Sequence, residues 1–374
     1  MCSCSSTPKG RHAGDAVDDD AVDPLLLGQR VVAILETGLR TATYKLATLM
    51  ALIDHCIENM PEKPGDMLAV PIPDLAHRVL DIYWQQVRPF EGQALRQSTQ
   101  PRARILLATN ALRDAAGITI AGVSVDVAKL RAPTAYRSAI DDITLCLAQQ
   151  PLHRLQRLPG STTSDPFLYD DSFLHDHVAR STLRAHGDSI ELKPFVAHGL
   201  ARLAGLLKPA LEIMWVDDVR RMNKFLHAEV PDVAGHLFGR ERTALAAVRE
   251  PFKEAFGPHC FYCGTHLPTG NPIDHVLPWS LVGIDGLANL VLACARCNGD
   301  KSGALPAVSI VDRVLGRDLQ VLEQISAEIQ WPTQHDRVVA AARGIYRVQP
   351  PGVPTWSGYK RLERLDIGFP PAGA

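Results

Sequence analysis

The chain has 374 residues, 46% hydrophobic and 21% charged, which is the composition of a soluble globular protein too long for one comfortable core. A formal net charge of −2 excludes a globally basic nucleic-acid binder while leaving a local groove open. No apolar run approaches the about 20 residues that span a bilayer. The start, Met1 to Ser6, lacks the apolar core of a signal peptide, so a cytoplasmic protein without a membrane partner is expected.

Residues 1–23, polar and carrying Asp18, Asp19 and Asp20, read as a disordered tail. Residues 24–235 read as an α-helical domain of unassigned role. Apolar residues recur at three- and four-residue spacing over 43–53, with Thr41 and Thr43 as caps. They recur again from Ile72 through Val79, Leu80, Tyr83 and Trp84, with Pro73 just inside the helix start. Further helical stretches fall near 102–116, 136–149, 198–207 and 211–226. Residues 158–171, with Pro159, Gly160 and a Ser/Thr cluster, read as a loop or short hairpin. Tyr83, Trp84 and Trp215 default to the core, and Cys56 and Cys146 to small buried hydrophobes. A hinge at 231–239 and a short helix at 241–255 lead into a small module within 240–316. Over 317–374 a helical stretch to about 346 and an extended Pro-rich tail are expected.

The chemistry concentrates in the small module. Cys260/Cys263 and Cys294/Cys297 form two Cys-x-x-Cys pairs about 30 residues apart. Such knuckles bring four soft thiolates to one tetrahedral zinc at about 2.3 Å. Four cysteines close the coordination shell, so this zinc is read as structural, and its binding as part of the module's folding free energy. His259 and His266 are then surplus as ligands, and Trp279 is expected to pack on the knuckles. Between the pairs, 273–278 reads as a strand ending at Pro278, 289–293 as a second strand, and the residues after Cys294 as a helix. The fold class expected is therefore mainly α: a helical domain, a zinc-stabilised ββα module, and a C-terminal helix and tail. His175, Asp176 and His177 look like a metal motif only superficially, because no third ligand follows at helical spacing.

Cys-x-x-Cys, Asp-His-Val-Leu-Pro, Asn-Leu and Cys-x-x-Cys-Asn-x-x-Lys over 258–305 together resemble the HNH endonuclease family in its two-knuckle, zinc-bearing form. Asn298 stands where many members have histidine, which makes this the H-N-N variant. The resemblance implies that His275 is the general base toward the attacking water. It implies that Asp274 and Asn298 hold one divalent ion, Mg²⁺ or Mn²⁺, and that Asn289 braces the loop carrying His275. Lys301, and less strongly Arg296, would contact phosphate. The activity implied is metal-dependent hydrolysis of DNA, most simply double-stranded, leaving 5′-phosphate and 3′-hydroxyl ends. The alternative is a zinc-stabilised nucleic-acid-binding module without cleavage. A homodimer or protein partner through the helical domain is compatible with either. The basic and aromatic cluster of Arg343, Tyr346, Arg347, Trp356, Tyr359, Lys360, Arg361 and Arg364 reads as a nucleic-acid-contacting tail or an ordinary solvated C-terminus.

Overall fold

A computed structural model describes residues 23–36, 40–100, 102–118, 123–157, 161, 163–226, 233–238, 242–268 and 270–366. The tail expected over 1–23 lies outside these residues but for Asp23, as do parts of the 158–171 loop and the 231–239 hinge, and Pro370 and Pro371.

The helical region is built around α2 (Tyr44–Glu58), which follows α1 (Pro24–Glu36). Twelve of its fifteen residues are buried, so it is apolar nearly all round and must be wrapped by other helices. A short strand, β1 (Leu68–Pro71), leads into α3 (Ile72–Gln86), whose Pro73 sits in the first turn where no intrahelical N–H is needed. Next come α4 (Arg104–Ala115), α5 (Val125–Arg131) and α6 (Pro133–Leu147); α3, α4 and α6 pack on one another. After α7 (Arg180–Ala185), β2 (Ser189–Leu192) pairs antiparallel with β1, Leu68 opposite Leu192. The 198–207 and 211–226 stretches resolve into α8 (Val196–Arg202) and α9 (Ala204–Met222), and α10 (Val233–Phe238) occupies the expected hinge.

Tyr83, Trp84 and Trp215 are core residues at no more than 1% exposure. Their polar atoms are satisfied. Thr43 Oγ1 meets the Tyr83 hydroxyl at 2.5 Å, Trp215 Nε1 donates to Gln97 Oε1 at 2.8 Å, and Trp84 Nε1 donates to the Val123 carbonyl at 2.6 Å. Cys56 and Cys146 are fully buried.

The module begins with α11 (Arg242–Phe256) and contains the expected ββα unit. Strand β3 (Ile273–His275) is followed by α12 (Trp279–Val282), β4 (Leu290–Leu292) and α13 (Ala295–Lys301). β3 and β4 are antiparallel, with Asp274 opposite Val291 and His275 opposite Leu290. α14 (Val308–Leu315) ends the module, and beyond it the single helical stretch expected to 346 is two helices, α15 (Leu319–Ile329) and α16 (His335–Val348). The break between the last two holds Gln330 and Gln334 at φ 52° on either side of Pro332. The segment expected as an extended tail instead forms a hairpin, β5 (Pro354–Gly358) with β6 (Arg361–Arg364). Trp356 is buried there, edge-on against Tyr262 with its Nε1 donating to Asp300 at 2.8 Å, and Tyr346 is buried on α16, its hydroxyl donating to the Pro306 carbonyl.

The chain's last helix returns to its second. α16 crosses α2 so closely that a Cβ on Gly344 would lie 1.8 Å from the Ile57 carbonyl oxygen. Glu58 of α2 accepts from Arg78 at 2.8 Å and from Arg337 of α16 at 3.0 Å. Lys208 of α9 donates to Asp54 at 2.7 Å and to the Leu281 carbonyl of α12 at 3.0 Å. Apolar burial is therefore continuous from the helical region into the module. Among the described residues, no helix is long and apolar enough to cross a membrane.

Candidate functional site

The two Cys-x-x-Cys turns meet. The sulfurs of Cys260, Cys263, Cys294 and Cys297 all lie within 4.8 Å of one another, and Cys263 and Cys294 are 3.9 Å apart. Four sulfurs around zinc at about 2.3 Å would be about 3.8 Å apart, so the donor set fits that ion. Backbone amides already point at sulfur: Cys294 N lies 3.3 Å from Cys260 Sγ, and Cys297 N 3.4 Å from Cys294 Sγ. Such contacts favour the thiolate that a metal needs. Burial opposes ionisation of Cys263, but hydrogen bonding to Thr265 and neighbouring cysteines outweighs it and lowers that thiol to about 6. Among the described residues this is the sole cluster of three or more such ligands, which leaves His175 and His177 without a site.

The knuckle touches the acid directly. Tyr262, inside the first Cys-x-x-Cys, donates its hydroxyl to Asp274 Oδ2 at 2.5 Å. Burial and the Asp274 charge hold that phenol far above its ordinary range, so it stays a donor. Lys301 of α13 reaches the same oxygen at 3.1 Å and donates to the His275 carbonyl at 2.6 Å. Lys301 is 1% exposed. The phosphate contact expected of Lys301 is thus replaced by an internal ion pair that ties α13 to β3. Arg296 keeps an exposed position, its guanidinium 4.7 Å from the centre of the Tyr359 ring on the hairpin. Asn298 lies one turn before Lys301 and is half-buried.

His275 is 2% exposed, with Nε2 2.6 Å from Asp285 Oδ1. Trp279 stands edge-on to the imidazole at 5.7 Å and lines a cavity, where it was expected to pack on the knuckles. The knuckle is covered by Trp356 and Tyr262 instead. Asn289 is fully buried and binds backbone on both sides of the loop. Its Oδ1 accepts from Leu277 N at 2.8 Å, while Nδ2 donates to the carbonyls of Leu277 at 3.2 Å and Ile284 at 3.1 Å. These bonds fix the loop that runs from His275 to Asp285.

Two groups escaped the sequence reading. Asp285 is held by its neighbours: its carbonyl accepts from Trp331 Nε1 at 2.6 Å, while Leu287 N and Ala288 N donate to the carbonyls of Pro332 and Thr333. Arg317 lies under the loop and donates to the carbonyls of Leu287, Ala288 and Leu290 at 2.8–3.0 Å. Its burial lowers the guanidinium to about 10. Neither partner set follows from spacing, because Trp331 and Arg317 come from segments beyond the module.

Comparison with known families gives two matches. Residues 26–237 match a domain of unknown function (DUF8808), and residues 260–303 match HNH endonuclease. No curated protein and no solved structure matches the chain.

Proposed function

We infer the function from family and site together: the chain belongs to the family of the domain of unknown function DUF8808, and behind that domain it carries an HNH endonuclease module. We propose that it is a metal-dependent endonuclease that hydrolyses phosphodiester bonds of double-stranded DNA, leaving 5′-phosphate and 3′-hydroxyl ends. The observation that carries this reading is the pair Asp274–His275 on β3, braced by Asn289 and tied through Tyr262 to the four-cysteine frame.

In this reading His275 takes the proton of the attacking water. The tautomer that donates Nε2–H to Asp285 puts the basic lone pair on Nδ1, and the carboxylate stabilises the imidazolium that forms. Asp274 and Asn298 would hold a divalent cation. Their oxygens are hard donors suited to Mg²⁺ or Mn²⁺, and Tyr262 and Lys301 both meet Asp274 at Oδ2, so Oδ1 is the oxygen that would serve a metal. When bound, that ion supplies charge stabilisation at the phosphate and the departing 3′ oxygen. Lys301 acts here as a positioning residue, fixing Asp274 and the His275 backbone. Arg296, with Tyr359 and Lys360 beside it, is the surface group best placed to meet phosphate.

Plasmid cleavage with Mg²⁺ or Mn²⁺ tests the proposal. His275→Ala is expected to lose about 10²–10⁴-fold in rate while keeping its zinc. Equal cutting by the variant sinks the mechanism. One observation favours the second reading, binding without cleavage: the base is buried and engaged by Asp285. DNA retention with no cleavage under any divalent ion selects it.

A further inference from the structure

A cavity of about 420 Å³ lies between the helical domain and the nuclease module. That volume suits a ligand of nucleoside size. Asp81 and Gln86 of α3, Asp126 of α5, and Trp279 and Asp285 of the module line it, as does Trp331 from the link before α16.

Charge around this space is uneven. Arg78 and Arg337 line it, but both are engaged by Glu58, at 2.8 and 3.0 Å, and Lys208 is engaged by Asp54 at 2.7 Å. Arg131 lies at the exposed rim. The carboxylates are less matched. Asp81 has no hydrogen bond or ion pair among the described residues, and Asp126 meets only Gln334 Nε2, at 3.4 Å. Burial pushes the Asp81 carboxyl up against the pull of Arg337 and His77, and the charges of Asp126 and Asp285 add smaller upward pushes. Asp81 and Asp126, from two segments, therefore share one space with Asp285, whose side chain is engaged by His275.

A second feature is independent of charge. Gln86 is 1% exposed and lines the cavity, yet neither its Nε2 nor its Oε1 has a partner among the described residues. Ser124 Oγ and Gln334 Oε1, which line the same space, are also without one. Buried carboxamides and hydroxyls are normally paired, so a wall with several unpaired ones is built for an occupant that supplies hydrogen bonds. Trp279 and Trp331 add aromatic faces, which attract an organic cation.

We propose that this cavity binds a small organic cation, an amine or guanidine of nucleoside size or less. Its charge sits among Asp81, Asp126 and Asp285, its carbon body lies against Trp279 and Trp331, and its N–H groups donate to Gln86 Oε1. Anionic ligands are excluded by the same carboxylates. Asp285 also holds His275, so an occupant drawing on Asp285 alters the setting of the base. That consequence rests on His275 acting as the base; binding itself does not.

Agmatine and spermidine are titrated by calorimetry into the full-length, zinc-loaded protein at about 0.15 M salt, where surface attraction is screened. AMP serves as the anionic control. At least one amine is expected to bind with a single-site isotherm and to raise the melting temperature, while AMP does neither. Asp81→Asn and Gln86→Leu should each weaken binding about tenfold or more. His275→Ala, which frees Asp285 from its hydrogen bond with the imidazole, should keep the single-site isotherm and bind no more weakly than wild type. Asp126→Asn on the short helix α5 replaces Asp81→Asn if the latter does not fold. The proposal is overturned by no binding of either amine at millimolar concentration to protein with normal zinc content. It is equally overturned by affinities that are the same in wild type, Asp81→Asn and Asp126→Asn, the pattern of diffuse attraction to an acidic surface.

Discussion

At the scale of single residues, the pair His275–Asp285 is the least expected feature and the most consequential. The two are ten positions apart, and nothing in Gly283-Ile284-Asp285-Gly286 marks the acid as a partner. The loop folds it back, and Trp331 and the 332–333 carbonyls hold it there. Asp285→Asn keeps the shape but removes the charge. It is expected to lower cleavage about 10–100-fold with DNA affinity unchanged, as removal of an orienting carboxylate does elsewhere. Single-turnover kinetics alongside a binding titration separates the two effects, and unchanged turnover would count against an orienting role. Lys301 makes the complementary point. Sequence spacing put its charge beside the site, and tertiary packing turned that charge inward onto Asp274.

At the scale of elements, two contacts decide how the helices fit. Gly344 lets α16 lie on α2, and an alanine there would drive its Cβ into the Ile57 carbonyl. Alanine gains about 1 kcal/mol of helix propensity over glycine, but a backbone clash outweighs it. Gly344→Ala is expected to lose about 1–3 kcal/mol in urea denaturation. A stabilised variant would contradict the close crossing. His55 on α2 carries a pH signature. Burial first, and then the Arg78 charge, lower its imidazole from 6.5 to about 4. Above pH 6.5 both folded and unfolded forms are neutral there, so His55 contributes no pH dependence. As pH falls from 6.5 towards 4 the unfolded chain takes a proton that the folded chain refuses, and stability drops. The loss is up to about 3 kcal/mol over that window. His55→Leu should flatten the stability–pH slope between 6.5 and 4, whatever its effect at pH 7; an unchanged slope would refute the assignment.

At the scale of the whole molecule, the module is held by its own four-cysteine frame and by packing against the helical domain. Tyr262 links the frame to Asp274, and Trp356 seals it from the hairpin. Metal analysis is expected to return about one zinc per chain. A strong chelator, or Cys297→Ser, should abolish cleavage and lose hydrogen-exchange protection over 258–305 first. The helices of 26–237 should hold theirs longer, because α2 and its neighbours bury their apolar faces without help from the thiols. Simultaneous loss across both regions would mean that the module's fold underwrites the whole chain.

Local chemistry by itself determines much of this protein. Cys-x-x-Cys spacing dictates a four-sulfur cluster, and Asp-His before a proline, with Asn-Leu leading to the second knuckle, dictates a ββα unit. Apolar residues at helical spacing dictate that α2 and α3 are helices with Tyr83, Trp84 and Trp215 inside. Each of these is signalled by a motif or period a few residues long, so the chain displays it directly. What only the tertiary structure decided depends on segments far apart in sequence. The partners of His275, Asp274 and Arg317, the folding of the tail into a hairpin, and the crossing of α16 on α2 are of this kind, as is the acid-lined cavity between the two regions. Each arises where surfaces from distant segments are pressed together, and burial there selects which charges pair and which polar groups are left to face one another.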